Sequence, residues 1–312
     1  MELLQSEGRE FDAAEPEEVV DFLRSRRIEK IHVPPEDLHV VNDGKVFYLH
    51  CSYGQLREFL MRRAFVRKLL RWFNFPPRLL DRLDIDTATM VLNDLLLNIV
   101  SGDVTVTVEC GEALTVTSAR YSEIADLDII ERCRSLGVEY VSRNDYFMRL
   151  YSRTRSVAEP AKGDICSFSY NVVNSETGFR ALSLSHYILR YICSNGAVVP
   201  IKGMRRKVHY GYSQGELFGI LDRYLVAGEA VQKKVITALE SSVSEPVNGE
   251  REKVIRSVDS LLGRGMGRAL VSRLQAGASR YDLFNEITSM AKGYPIGIRL
   301  QLEMIAGGML NN

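Results

Sequence analysis

The chain has 312 residues, 46% of them hydrophobic, enough to bury a large core in one domain or two. Forty basic residues offset forty acidic ones, which argues against a protein whose whole surface clings to a polyanion. No apolar run approaches the roughly 20 residues that cross a bilayer, and the acidic start has no signal-peptide pattern, so a cytoplasmic protein without membrane contact is expected. Cys51, Cys110, Cys133, Cys166 and Cys193 are scattered without the paired spacing of a zinc site or a disulfide frame, and read as small core residues.

Charge is segregated along the chain. Residues 1–15 carry Glu2, Glu7, Glu10, Asp12 and Glu15 without periodicity, which predicts a mobile acidic start. A helix begins at Pro16, a residue tolerated in the first turn, with Val19, Val20 and Leu23 as its apolar stripe. Asn42-Asp43-Gly44 between two β-like runs predicts a hairpin. Residues 54–73 read as one helix in which Phe59, Phe65, Val66, Leu69 and Leu70 alternate with Arg57, Arg62, Arg63, Arg67, Lys68 and Arg71. Arg78 and Arg82 extend this cationic stretch, which suits either a polyanion or an ordinary solvated face whose arginine stems cover apolar surface. Another helix follows over 87–100. Alternating β-branched residues around Cys110-Gly111-Glu112 predict a second hairpin, a helix over 126–136 stops at Gly137, and 138–141 and 146–152 read as strands.

The best-patterned stretch is 163–211. Two strands, 165–173 and 178–184, are joined by the turn residues Asn174-Ser175-Glu176-Thr177. Ser185 then caps a short buried helix carrying Tyr187, Ile188, Tyr191 and Ile192, closed by Asn195-Gly196. A strand over 198–202 leads into the basic run Arg205-Arg206-Lys207. Ser213 with Glu216, and Ser279 with Asp282, are capping-box patterns that open an all-helical tail. The pattern therefore predicts an α+β protein. An antiparallel sheet with helices on one face occupies 16–211, and an all-helical C-terminal region occupies 212–312.

No motif for a metal, a phosphate or a catalytic triad stands out, and no cofactor is expected. Gly263-x-Gly265-x-Gly267 lacks the Walker lysine and follows no strand, so it reads as a joint between helices. Two clusters mix cations with aromatic rings, the combination that single-stranded nucleic acid requires: cations track phosphate and rings stack on bases. One is Arg143, Arg149 and Arg153 with Tyr146; the other is Arg205, Arg206 and Lys207 with Tyr210 and Tyr212. Two other readings stay open. Glu176 with Asp126 or Asp128 would serve a metal-dependent nuclease, and the acidic start would suit an interaction protein that docks a basic partner or mimics DNA.

Asn174-Ser175-Glu176-x-Gly178, Cys193-x-Asn195-Gly196 and the basic run ending at His209 resemble the phage- and plasmid-borne family known as domain of unknown function nine-three-two. Phe75-Pro76-Pro77-Arg78-Leu79-Leu80 and Ser118-Ala119-Arg120-Tyr121 add to the likeness, which spans residues 53–312. The resemblance implies a mobile-element setting and no established catalytic residues. The layout is similar to that of the single-strand annealing proteins of phage recombination. It implies a non-catalytic, homo-oligomeric protein that binds and anneals single-stranded DNA in recombination or replication.

Overall fold

The computed structural model describes residues 6–99, 102–153, 156–190, 195–200, 213–247 and 249–310. After strand β1 (Phe11–Ala14) and helix α1 (Pro16–Ser25) come strands β2 (Ile28–Val33), β3 (Leu38–Asn42), β4 (Phe47–Cys51) and β5 (Arg57–Met61). Helices α2 (Arg63–Trp72), α3 (Pro77–Leu80) and α4 (Ile85–Leu97) follow, then the hairpin β6 (Val104–Glu109) and β7 (Glu112–Ser118). Strands β2 to β7 form a six-stranded sheet in the order β2-β6-β7-β5-β4-β3, antiparallel except where β5 meets β7. The hairpins predicted at Asn42-Asp43-Gly44 and at Cys110-Gly111-Glu112 are present.

Side chains alternate across a strand. Val104, Val106 and Val108 therefore meet Phe65, Leu69, Leu92 and Leu96 of α2 and α4; their partners Val116 and Ala113 join them because the register shifts at Leu114, and the paired Thr107 and Thr115 lie on the opposite face. The single helix predicted over 54–73 is in fact a strand followed by a helix. Phe59 and Met61 bury at a spacing of two, β5 pairs with β4, and helical spacing starts only at Ala64-Phe65.

Helix α5 (Asp126–Cys133) leads into β8 (Val138–Arg143), β9 (Met148–Ser152), β10 (Ser156–Ala161), β11 (Asp164–Asn174), β12 (Ser183–Arg190) and β13 (Asn195–Pro200). These join β1 in a second sheet ordered β1-β8-β9-β11-β12-β13, with β10 on β11. Three expectations are corrected here: the strand predicted over 178–184 is a connector, and β12 starts only at Ser183. Residues 11–14 of the acidic start are a paired strand with Phe11 buried. The helix predicted from Ser185 is strand β12, bonded to β11 along eight residue pairs and to β13 on its other side. Tyr187 and Ile188 fit either period locally, and pairing on both edges decides for the strand over 185–190; residues 191–194 of the predicted helix lie outside the described residues.

Helices α6 (Gln214–Ser242), α7 (Glu250–Leu262), α8 (Met266–Val271), α9 (Arg280–Ala291) and α10 (Ile296–Gly308) form the C-terminal region, and both capping boxes are made as predicted. This region shares a core with the second sheet, where Cys166, Phe168 and Ile188 meet Val235, Leu239, Phe284 and Ile287. The α+β class and the helical C-terminal region hold, but there are two sheets. The second carries helices on both faces: Val172 packs toward α1 and α5, and Val173 packs against Ile296 and Leu300 of α10. Among the described residues no helix is long and apolar enough to cross a membrane.

Candidate nucleic-acid interface

The two sheets meet at a buried ionic network centred on the connector that joins β11 to β12. Glu176 accepts hydrogen bonds from Arg26 Nη1 at 2.7 Å and Nη2 at 2.9 Å, and from the Asp126 N–H at 2.7 Å. Arg143 reaches Glu176 at 3.3 Å and donates Nε to Asp126 at 3.0 Å. Arg26 also bonds Glu109 at 3.1 Å, and Arg62 bonds Glu109, Glu112 (2.7 Å) and Asp145 (3.1 Å). Each member lies at or near the end of an element, so the network ties α1, α5, β8, the β6–β7 hairpin and the start of α2 to one connector.

Five carboxylates here face three guanidiniums, so not every carboxyl is equally easy to ionise. Burial opposes the charge on Glu176, but the two Arg26 bonds, the Arg143 charge and the Asp126 N–H prevail and hold its carboxyl down to about 2. Burial and the Glu176 charge push the Asp126 carboxyl up to about 7, against Arg143 and the Asn174 amide, which donates to it at 2.9 Å. Both Glu176 oxygens are engaged by guanidiniums. Among the described residues no group of three or more His, Cys, Asp or Glu is placed to hold a metal ion. The geometry makes the Asp126–Glu176 pair a structural tie.

Held by this network, the connector is pinned by two hydroxyls of its own and one from Tyr121. Ser175 Oγ donates to Tyr146 O at 2.6 Å, Thr177 Oγ1 donates to Asp145 O at 2.9 Å, and Tyr121 OH donates to Ser175 O at 2.6 Å. Gly178 and Phe179 are thereby presented to α2. Lys68 Nζ donates to Gly178 O at 2.8 Å and Arg71 Nη1 donates to Phe179 O at 2.9 Å. Position 178 favours glycine because φ is +73°, and a Cβ would lie 2.5 Å from Lys68 Nζ, so the lysine tip would have to move.

The outcome is a ridge of cations laid over rings. Tyr146 and Phe179 meet edge to face at 5.0 Å. The Arg67 guanidinium lies 5.7 Å from the centre of the Tyr146 ring, Arg71 5.8 Å from Phe179, and Lys68 5.3 Å from Phe179 and 5.9 Å from Tyr121. Arg63, Arg67 and Arg71, four apart, share one stripe of α2. Arg67 and Arg71 are exposed, and Arg67 has no carboxylate partner among the described residues. Lys68 is buried beneath them; burial and the Arg71 charge bring its amine down to about 8.

The predicted site residues fall in different places. Tyr146 is in the ridge. Arg153 is exposed at the end of β9. Arg143 and Arg149 are corrected, because both guanidiniums turn inward. Arg143 belongs to the network, and Arg149 is fully buried with Glu303 and Asn171 between the Tyr151 and Tyr187 rings. Strand alternation puts Arg149 on the sheet face that α10 covers. Arg205, Arg206, Lys207, Tyr210 and Tyr212 lie outside the described residues. The ridge cations come instead from the 57–82 stretch, whose fourfold arginine spacing is visible in the sequence. Phe179 carries no local signal of its role, since only the connector's path brings it to α2. Compared with protein-family models, curated proteins and solved structures, the chain has no match in any of the three.

Proposed function

We propose that the chain binds single-stranded nucleic acid along the Arg63–Arg67–Arg71 stripe of α2, with Tyr146 and Phe179 offering ring surface to bases. The observation that carries this reading is the pairing of two exposed guanidiniums, Arg67 and Arg71, with two half-buried rings. Cations neutralise phosphate while rings stack on bases of any sequence, which is how sequence-tolerant single-strand binding works. A local cationic stripe on a chain of zero formal charge suits a defined track better than general adhesion to polyanions. Together with the resemblance to mobile-element proteins, this supports a homo-oligomeric binding or annealing protein of single-stranded DNA in recombination or replication.

The test is fluorescence anisotropy of a labelled oligonucleotide, DNA and RNA in parallel, across a salt series. The double change Arg67→Ala/Arg71→Ala is expected to lower affinity at least tenfold and to flatten the log K against log salt slope by about 1.4, two phosphate contacts at about 0.7 each. Affinity and slope equal to wild type would remove the ridge from the reading.

A further inference from the structure

The acidic start lies against one end of this ridge. Ser6 makes a parallel bridge to Arg62, and the Arg63 N–H donates to Ser6 O at 3.1 Å. The Gly8 N–H donates to Asp145 Oδ2 at 2.8 Å. Between these two anchors, Glu7 pairs with Arg63 at 3.0 Å. Gly8 fits only because it lacks a side chain: a Cβ there would lie 2.1 Å from Asp145 Oδ1 and 2.7 Å from Arg62 Nη1. Glu7 is more than half exposed, so a competing anion can reach the pair from solvent.

We infer that residues 6–8 are a self-inhibitory strap, in which Glu7 holds the phosphate position at Arg63 until a single strand displaces it. The inference rests on the ridge reading above. Three observations converge on it. The backbone is fastened on both sides of Glu7, so the carboxylate is delivered to Arg63 by the fold. The Tyr146 phenol, raised chiefly by burial, also responds to Arg67, Glu7 and Arg63, which places the Glu7 charge among the ridge groups themselves. Burial and the charges of Asp12 and Glu7 raise the Glu10 carboxyl against Arg299, so the Glu7 charge is one of several acids gathered in this start. A carboxylate on an arginine is the arrangement a nucleotide phosphate would reproduce.

The test uses the full chain and a labelled single-stranded thymidine oligonucleotide. Glu7→Gln deletes the charge without deleting packed atoms, and Gly8→Ala lifts the strap without changing charge. Glu7→Gln is expected to tighten binding about two- to fivefold, the range of an exposed ion pair, because a strand no longer has to displace a carboxylate to reach Arg63. Gly8→Ala should move affinity the same way. If both variants match wild type in affinity while Arg67→Ala/Arg71→Ala loses binding, the strap is wrong and the ridge stands. If Arg67→Ala/Arg71→Ala binds like wild type, the ridge reading fails, and the strap with it. A wild type that does not bind beside a Glu7→Gln that does would support the strap in its strongest form, whereas no binding by any variant overturns both.

Discussion

Changing Glu176 to glutamine keeps the shape of the most connected carboxylate in the network and removes its charge. Arg26 and Arg143 then lose a buried counter-charge, a perturbation that costs about 3–5 kcal/mol when nothing compensates. Here Asp126 compensates in part. Its carboxyl stands at about 7 because of burial and the Glu176 charge; without that charge it ionises more readily and serves Arg143. A net loss of about 2–4 kcal/mol at pH 7 is expected. The pH dependence supplies the sharper test. The folded Asp126 carboxyl lies above its unfolded value of about 3.9, so the folded chain holds that proton more tightly. Its contribution is complete below about pH 4 and is lost as pH rises through about 7. Wild type should therefore gain about 2 kcal/mol from Asp126 between pH 7 and pH 5. Glu176→Gln should gain far less, so the gap between the two widens at pH 5. Glu176 itself, held down to about 2, contributes stability above about pH 4 that is lost only as pH falls toward 2, outside this window. Urea unfolding followed by the fluorescence of Trp72, the single tryptophan, and by circular dichroism measures both gaps. Equal stability at pH 7, or a gap that narrows at pH 5, refutes the reasoning.

Lys68 tests the floor of the ridge. Its folded amine, at about 8 through burial and then Arg71, lies below the unfolded value, so stability rises as pH goes from about 8 to about 10.4, by linkage of order 3 kcal/mol. Lys68→Met should show no such rise in unfolding experiments over that range. Gly178→Ala forces a side chain into a positive-φ position against Lys68, and should cost about 1–3 kcal/mol and weaken oligonucleotide binding together; unchanged binding would separate the connector from the interface. Glu303→Gln leaves the buried Arg149 guanidinium without its counter-charge and should cost about 3–5 kcal/mol. The paired change Arg149→Met/Glu303→Leu should recover most of that loss, and a double variant no better than the single one would contradict the ion-pair account.

The features legible in the sequence are those set by a few neighbouring residues. Asn42-Asp43-Gly44 and Cys110-Gly111 specify hairpins, and Ser213 with Glu216 and Ser279 with Asp282 specify helix starts, because donors and acceptors three positions apart satisfy one another. The cationic spacing of α2 is legible on the same terms. Strands β5 and β12 are not, because short apolar runs fit periods of two and of three to four alike, and the choice falls to partner strands that lie far off in the chain. Charge is least legible of all. Arg143, Arg149 and Arg67 look alike in the sequence, yet two face buried carboxylates and one faces solvent. Glu176 reads locally as a turn residue, but its partner Arg26 is 150 positions away. The sequence by itself determined the α+β class, the two short hairpins, the capping-box helix starts and the cationic stripe, all products of local hydrogen bonding and periodicity. Only the tertiary structure decided which arginines are spent inside and which rings lie under the rest, because burial and ion pairing depend on segments that the chain's linear order keeps apart.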